Sequence, residues 1–230
     1  MKKTLSLVLA MAFAVVLTAC GNAGSTEQEE PFVTSASVPM TEEESEQTEK
    51  NEDETGNKIL VTYFSRTGEN YSVGYIEKGN THIIADMIAE QTGSDTFEIS
   101  TVTPYPDDYD ECTAIVQQER NENARPELKE SLDNLEDYDV IFIGYPIWWG
   151  DMPMAVYTFL ESYDFSGKTI VPFCTHEGSG LSSTQESIEA ICPDAEILDG
   201  LAIRGSVAQN SQDEAKEAVT EWLRQMEFIE

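Results

Sequence analysis

Beyond residue 57 the chain alternates apolar runs with amphipathic stretches. Ile59-Leu60-Val61-Thr62-Tyr63-Phe64 is a continuous β-favouring run, the pattern of a strand buried on both faces of a parallel sheet. From His82 to Gln91, residues Ile84, Met87, Ile88 and Gln91 recur at helical spacing, and Gly93 follows where a helix commonly stops. The alternation continues with a strand over Thr96 to Ser100, a helix around Tyr109 to Glu122, a strand over Asp139 to Tyr145 and a helix over Pro153 to Ser162. A strand over Thr169 to Cys174, a helix over Leu181 to Ile191 and a last strand near Glu196 to Ile203 complete the series. Ala215, Ala218, Val219, Trp222, Leu223 and Met226 then form a stripe at i, i+3, i+4, i+7, i+8 and i+11, a final helix that packs on the sheet. Five β-α units with right-handed crossovers predict an α/β fold, a doubly wound three-layer sandwich around a five-stranded parallel sheet. Such sheets bind ligands beyond the C-terminal ends of their strands, so the loops there are where chemistry is sought.

The first part of the chain follows another pattern. Lys2 and Lys3 precede an apolar run from Leu5 to Leu17, short for a membrane span and of the right length for a secretory signal core. The run ends in Leu17-Thr18-Ala19-Cys20, which resembles the bacterial lipobox. That resemblance makes residues 1–19 a signal peptide and Cys20 the lipidated N-terminus of an extracytoplasmic protein anchored to the bacterial cell membrane. From Gly21 to Asn57 the sequence is rich in Glu, Ser and Thr and nearly devoid of residues able to offset the entropy of ordering, so 20–57 reads as a lipidated cysteine followed by a disordered acidic linker. The folded domain is expected over 58–230.

Charge narrows the partners. The 230 residues carry 44 acidic and 13 basic side chains, a formal charge of −31 that repels nucleic acid. The linker holds 11 of the acids and one base, and Lys2 and Lys3 precede it, which leaves the domain with 33 acidic and 10 basic groups. The four cysteines show no C-x-x-C spacing, and His82 and His176 lie too far apart in sequence for a usual zinc cluster, so no metal site is expected. Cys112, Cys174 and Cys192 sit in or beside predicted elements, where a buried thiol is the default state.

Three loops at predicted strand ends carry candidate chemistry. Ser65-Arg66-Thr67-Gly68-Glu69-Asn70 leaves the first strand as a hydroxyl-rich loop, and Asn80-Thr81 opens the following helix after an intervening stretch from Tyr71 to Gly79. Hydroxyls, backbone N–H groups bared by glycine and the positive end of a helix are what a desolvated phosphate needs, whereas a polar turn with a capping Asn or Thr is the plainer reading. Tyr145-Pro146-Ile147-Trp148-Trp149-Gly150-Asp151 ends the third strand with paired tryptophans, a large apolar surface suited to a flat aromatic ligand. One of the two rings packed into the core is the competing account. Cys174-Thr175-His176-Glu177-Gly178-Ser179-Gly180 is a second Gly-rich turn into a helix.

The first loop resembles the Ser/Thr-x-Thr-Gly-x-Thr motif of flavodoxins, and Pro-Ile-Trp-Trp-Gly followed by Met-Pro resembles the lipoprotein-associated branch of that family. The resemblance spans residues 58 to about 226. It implies a sheet of order 2-1-3-4-5 and FMN as cofactor. It further implies that Ser65, Thr67, Gly68, Asn80 and Thr81 hold the phosphate, with Arg66 pairing with it or lying in solvent. Tyr145, Pro146, Ile147, Trp148, Trp149 and Gly150 would then flank the flavin ring. Thr175, His176, Glu177, Gly178 and Gly180 would border its pyrimidine edge, where backbone donors and, if protonated, His176 stabilise charge on the reduced flavin, and where His176 could act catalytically by delivering a proton to an acceptor.

Related topologies fit less well. A receiver domain needs clustered carboxylates after the first strand and an Asp ending the third, where this chain has Ser65 and Gly144-Tyr145. Glu177-Gly178-Ser179-Gly180-Leu181 lacks the spacing of a serine-hydrolase elbow, and neither a Walker loop nor a Gly-x-Gly-x-x-Gly fingerprint occurs. An electron-transfer lipoprotein serving a redox partner protein is favoured. The alternatives are a flavin-dependent reductase of quinones or other small acceptors, and a binding lipoprotein that has lost flavin.

Overall fold

The computed structural model describes residues 57–230; the signal-peptide, Cys20 and linker assignments lie outside the described residues, Asn57 apart. β1 (Ile59–Tyr63) runs parallel to β4 (Asp95–Glu98) on one side and to β5 (Val140–Pro146) on the other. β5 pairs in turn with β6 (Thr169–His176). The last position is shared by β7 (Glu196–Ile197) and β8 (Leu201–Arg204), both parallel to β6. In order of the parallel strands this is 2-1-3-4-5, as expected.

The continuous last strand predicted near Glu196 to Ile203 is broken, for a local reason. β7 pairs with Thr169 and Ile170 and β8 resumes at Phe173, so Leu198-Asp199-Gly200 faces Val171-Pro172. Pro172 has no N–H to give the ladder, and such gaps are where a strand bulges. The Asp199 carbonyl accepts instead from the indole Nε1 of Trp222, at 3.1 Å.

Alternation within the strands builds two cores. On β5, Ile141, Ile143 and Tyr145 join the cluster beneath α3 (Met154–Ser162) and α4 (Thr184–Ile191). Val140 and Phe142 join the one beneath α1 (Asn80–Thr92) and α6 (Gln212–Gln225). All five are buried, as a strand covered on both faces requires.

Two elements escape the periodic pattern. Residues after β1 form a small antiparallel hairpin, β2 (Gly68–Asn70) with β3 (Gly74–Ile76), where the sequence suggested only an intervening loop. A six-residue helix, α5 (Gly205–Asn210), follows β8 directly. α2 (Tyr109–Glu122) forms where expected, its N-cap Asp108 accepting from Glu111 N at 2.8 Å, yet it buries only Cys112 and Val116.

Candidate functional site

A cleft of about 280 Å³ opens beyond the C-terminal ends of β5 and β6. Arg66, Asn70, Asn80, Thr175, His176, Glu177 and Gly205 supply its polar part. Its apolar part comes from Pro146, Ile147, Trp148 and Trp149, from Tyr71 of the hairpin, and from α2. The α2 contribution is Tyr109, Cys112, Thr113 and Val116, one helical face at i, i+3, i+4 and i+7.

The polar part is built on the start of α1. Ser65 Oγ lies beneath it and accepts from His82 N at 3.1 Å. A Cβ on Gly79 would fall 2.1 Å from that oxygen, so only glycine lets the chain enter the helix here. The N–H groups of Asn80 and Thr81 have no partner within the helix, as at any helix start. The Thr81 hydroxyl is buried and shares a 2.8 Å hydrogen bond with Thr175, which places it behind the cleft wall. Asn80 Oδ1 is the buried side-chain polar atom without a partner among the described residues. Gly205 lies against the same amide, since a Cβ there would approach Asn80 Nδ2 to 2.3 Å.

The rest of the first loop is diverted. Arg66 donates from Nε and Nη2 to the Pro106 carbonyl, at 3.0 and 2.6 Å, and from Nη2 to that of Asp107, at 2.7 Å. It also reaches the Glu69 carbonyl. Its guanidinium therefore clamps the hairpin to the segment before α2 rather than lying free in solvent, and the residue still lines the cleft. Glu69 N donates to the Asp107 carbonyl at 2.8 Å, and Gly68 packs on the Asp107 backbone, so hairpin formation carries Thr67 and Gly68 out of the cleft.

The tryptophan loop divides its two rings. Tyr145 is a core residue, fully buried, its hydroxyl donating to Thr184 Oγ1 at 2.8 Å, and not a ring contact. Trp148 is half-buried and stands edge-on to Phe64 and Tyr105, with centroids 5.3 and 5.2 Å apart. Trp149 is 56% exposed. Trp148 N donates to the Asp151 carbonyl at 2.8 Å and Asp151 N to that of Trp148 at 3.1 Å, closing a two-residue turn. Trp149 and Gly150 have φ of +54° and +76°, both left-handed, which for tryptophan costs on the order of 1–2 kcal/mol. Gly150 serves the turn and does not line the cleft.

The third loop is organised by His176. Its Nδ1 accepts from Gly178 N at 2.8 Å and Gly180 N at 3.1 Å, so those amides face the imidazole and not the cleft. Burial, then the nearby Arg204, lowers the His176 pKa, with Glu177 opposing. The ring is therefore a neutral Nε2–H donor at neutral pH, so the electrostatic role that would need a protonated ring does not apply there. Glu177 accepts from Ser206 N at 2.6 Å and Ser206 Oγ at 3.1 Å, with Arg204 Nη1 at 4.0 Å, so its carboxylate fastens this loop to the start of α5.

The cleft thus gathers Arg66, Asn80, Pro146 to Trp149 and Thr175 to Glu177 from the anticipated set. Tyr71, Tyr109, Cys112, Thr113, Val116 and Gly205 were not anticipated. The helical spacing of Tyr109, Cys112 and Val116 was a readable signal for α2; that this face meets the cleft instead of the sheet was not. Among the described residues no group of His, Cys, Asp and Glu is placed to hold a metal ion.

Residues 58–226 match the sequence model of a family described as flavodoxin. The chain belongs to the flavodoxin family. Among solved structures, this flavodoxin resembles a candidate flavoprotein from Bacteroides eggerthii, 31% identical over 74% of this chain and 97% of that one, with a TM-score of 0.59. A second candidate flavoprotein, from Bacteroides uniformis, is 30% identical over 74% and 99%, with a TM-score of 0.58. A Lactobacillus acidophilus flavoprotein in complex with FMN shares the fold at 20% identity over 69% and 99%, with a TM-score of 0.52. No curated protein matches the sequence.

Proposed function

We propose that this flavodoxin binds FMN in the cleft and transfers electrons outside the cytoplasm, held at the bacterial cell membrane by a lipid on Cys20. Flavin binding comes with the family, and the Lactobacillus acidophilus relative was solved with FMN. The observation that carries the reading is the orphaned Asn80 amide, set at the start of α1 in the same cleft as Trp148 and Trp149.

The residues present fit the cofactor. The Asn80 NH₂ and the first N–H groups of α1, at the polar end of the cleft, make a donor set for a phosphate. Glu177 does not spoil that set by its charge alone, because its carboxylate is turned to Ser206 and Arg204. Trp148 and Trp149 would take the ring, with Tyr71 and Tyr109 in the same apolar part. FMN, when bound, supplies reversible one- and two-electron chemistry. His176, held as the Nε2–H tautomer, contributes a hydrogen bond and not a full charge.

The domain's 33 acidic against 10 basic groups favour a basic redox partner protein as the other half of the exchange. The exposure of Trp149 and Tyr71 at the cleft supports a second reading, a reductase that takes flat acceptors such as quinones directly. The test is an absorption spectrum of the full chain purified without added cofactor, followed by FMN titration. Flavin bands with quenched fluorescence, lost when Trp148 and Trp149 are both replaced by Ala, support the flavin site; no saturable binding overturns it. Turnover of a small quinone with no protein partner would favour the reductase.

A further inference from the structure

We propose that Arg120 is a positioning residue that latches α2 to the strained Trp149–Gly150 turn and so fixes the apolar wall of the cleft in its ligand-ready form. The inference rests on the flavin reading of that cleft.

A left-handed tryptophan needs something outside itself to hold it. The Trp149 ring is 56% exposed and gives little anchorage. Its carbonyl accepts from Arg120 Nη1 at 2.7 Å. The other arm of the fork, Nη2, lies 3.8 Å from Asp151 Oδ2, across the same turn. Asp151 is fixed in its own right, its Oδ1 accepting from Met152 N at 2.8 Å and from the Tyr157 hydroxyl at 3.1 Å. The planar guanidinium thus spans the turn from tip to base, which an ammonium cannot do.

The other end of the link is α2. Arg120 lies four residues beyond Val116, on the helical face that carries Tyr109, Cys112, Thr113 and Val116 into the cleft, yet it does not line the cleft itself. With only Cys112 and Val116 buried, α2 lacks a broad apolar stripe to seat it. Polar brackets do that work: Arg66 on the carbonyls before its N-terminus, Arg120 on the tryptophan turn, and Arg125 on Glu161 with Nε and Nη2 each at 2.6 Å. Of the three, Arg120 alone ties the cleft face of α2 directly to the tryptophans. Losing it uncouples the turn from α2.

The test uses the full chain and two readouts. In backbone amide exchange without flavin, Arg120→Ala speeds exchange at Trp148 and Asp151, whose amides close the turn, by about tenfold, and leaves Ile141 and Val171 in the sheet unchanged. Arg120→Lys, which keeps a charge facing Asp151 but lacks the fork, falls between. Unaltered exchange at both turn amides in Arg120→Ala, or full retention by Lys, overturns the latch. In FMN titration Arg120→Ala raises Kd about tenfold, and the same change in a Trp149→Gly background, where no strain remains to be held, shifts it by about twofold at most. An equal shift in both backgrounds overturns coupling through the turn. Failure of the natural chain to bind FMN overturns the flavin reading instead, and the exchange experiment still decides the latch.

Discussion

The hydroxyls of Thr81 and Thr175 lie 2.8 Å apart, both buried, and join the first turn of α1 to the end of β6. One strand end and one helix start, distant in sequence, are thereby locked in register beside Asn80. Thr81→Val leaves the Thr175 hydroxyl buried without this partner and is expected to cost about 1–3 kcal/mol in urea unfolding. The double replacement Thr81→Val with Thr175→Val is expected to recover part of that loss, because no polar group is then stranded.

The two tryptophans should separate stability from affinity. Trp148 packs edge-on against Phe64 and Tyr105, so Trp148→Ala opens a void and is expected to cost about 2–4 kcal/mol. Trp149 is exposed and left-handed, so Trp149→Gly relieves strain and is expected to be neutral or slightly stabilising. Both are expected to weaken FMN binding. Denaturant midpoints and Kd values measured on the same preparations check the contrast.

The parts legible in the sequence are those written by near neighbours along the chain. Apolar runs such as Ile59 to Phe64 and the stripe from Ala215 to Met226 announce their own strand and helix, and the Trp-Trp loop announces an aromatic surface. The hairpin from Gly68 to Ile76 was not legible, since its strands are three residues long and it is held by Arg66 and the Asp107 backbone some forty positions away. For the same reason Thr67 and Gly68, which match a phosphate loop locally, lie outside the cleft. Gly205 was invisible as a site residue because its role is to be small next to Asn80, a contact across 125 positions.

Acid should loosen the domain from two directions. The His176 pKa is depressed below its ordinary 6.5, so as pH falls below that value the unfolded chain takes up a proton that the folded one resists, and stability drops. His176→Gln is expected to remove this slope below about pH 6.5 in urea midpoints. The two hydrogen bonds from Arg125 hold the Glu161 pKa below its ordinary 4.5, so that pair's stabilisation is complete above 4.5 and is lost as pH falls through the depressed value. Arg125→Ala is expected to return the Glu161 titration, followed by carboxyl NMR, toward 4.5.

The three thiols of the domain are all buried but differ in what covers them. Burial pushes Cys174 up to about 12 and Cys192 to about 11, and it raises Cys112 as well, with Arg66 opposing. All are poor nucleophiles in the folded chain. Cys112 nevertheless lines the cleft, whereas Cys174 and Cys192 lie in the core. Mass-spectrometric mapping after maleimide treatment is expected to find that saturating FMN slows labelling at Cys112 and leaves Cys174 and Cys192 unaffected. Equal rates at all three would mean that labelling proceeds through global unfolding.

Gly205 offers the sharpest test of which part of the cleft holds phosphate. A methyl group there would come within 2.3 Å of Asn80 Nδ2 and 3.3 Å of Glu177 Oε1, so Gly205→Ala must displace the Asn80 amide or the loop that Glu177 fastens. Either movement disturbs the donors proposed for the phosphate and leaves Trp148 and Trp149 in place. FMN affinity is therefore expected to fall by about tenfold while riboflavin, which lacks the phosphate, binds as before. Fluorescence quenching by the two flavins, titrated side by side, gives the selectivity directly. A parallel loss of both would place the damage at the ring, and unchanged binding of both would remove Asn80 from the phosphate site.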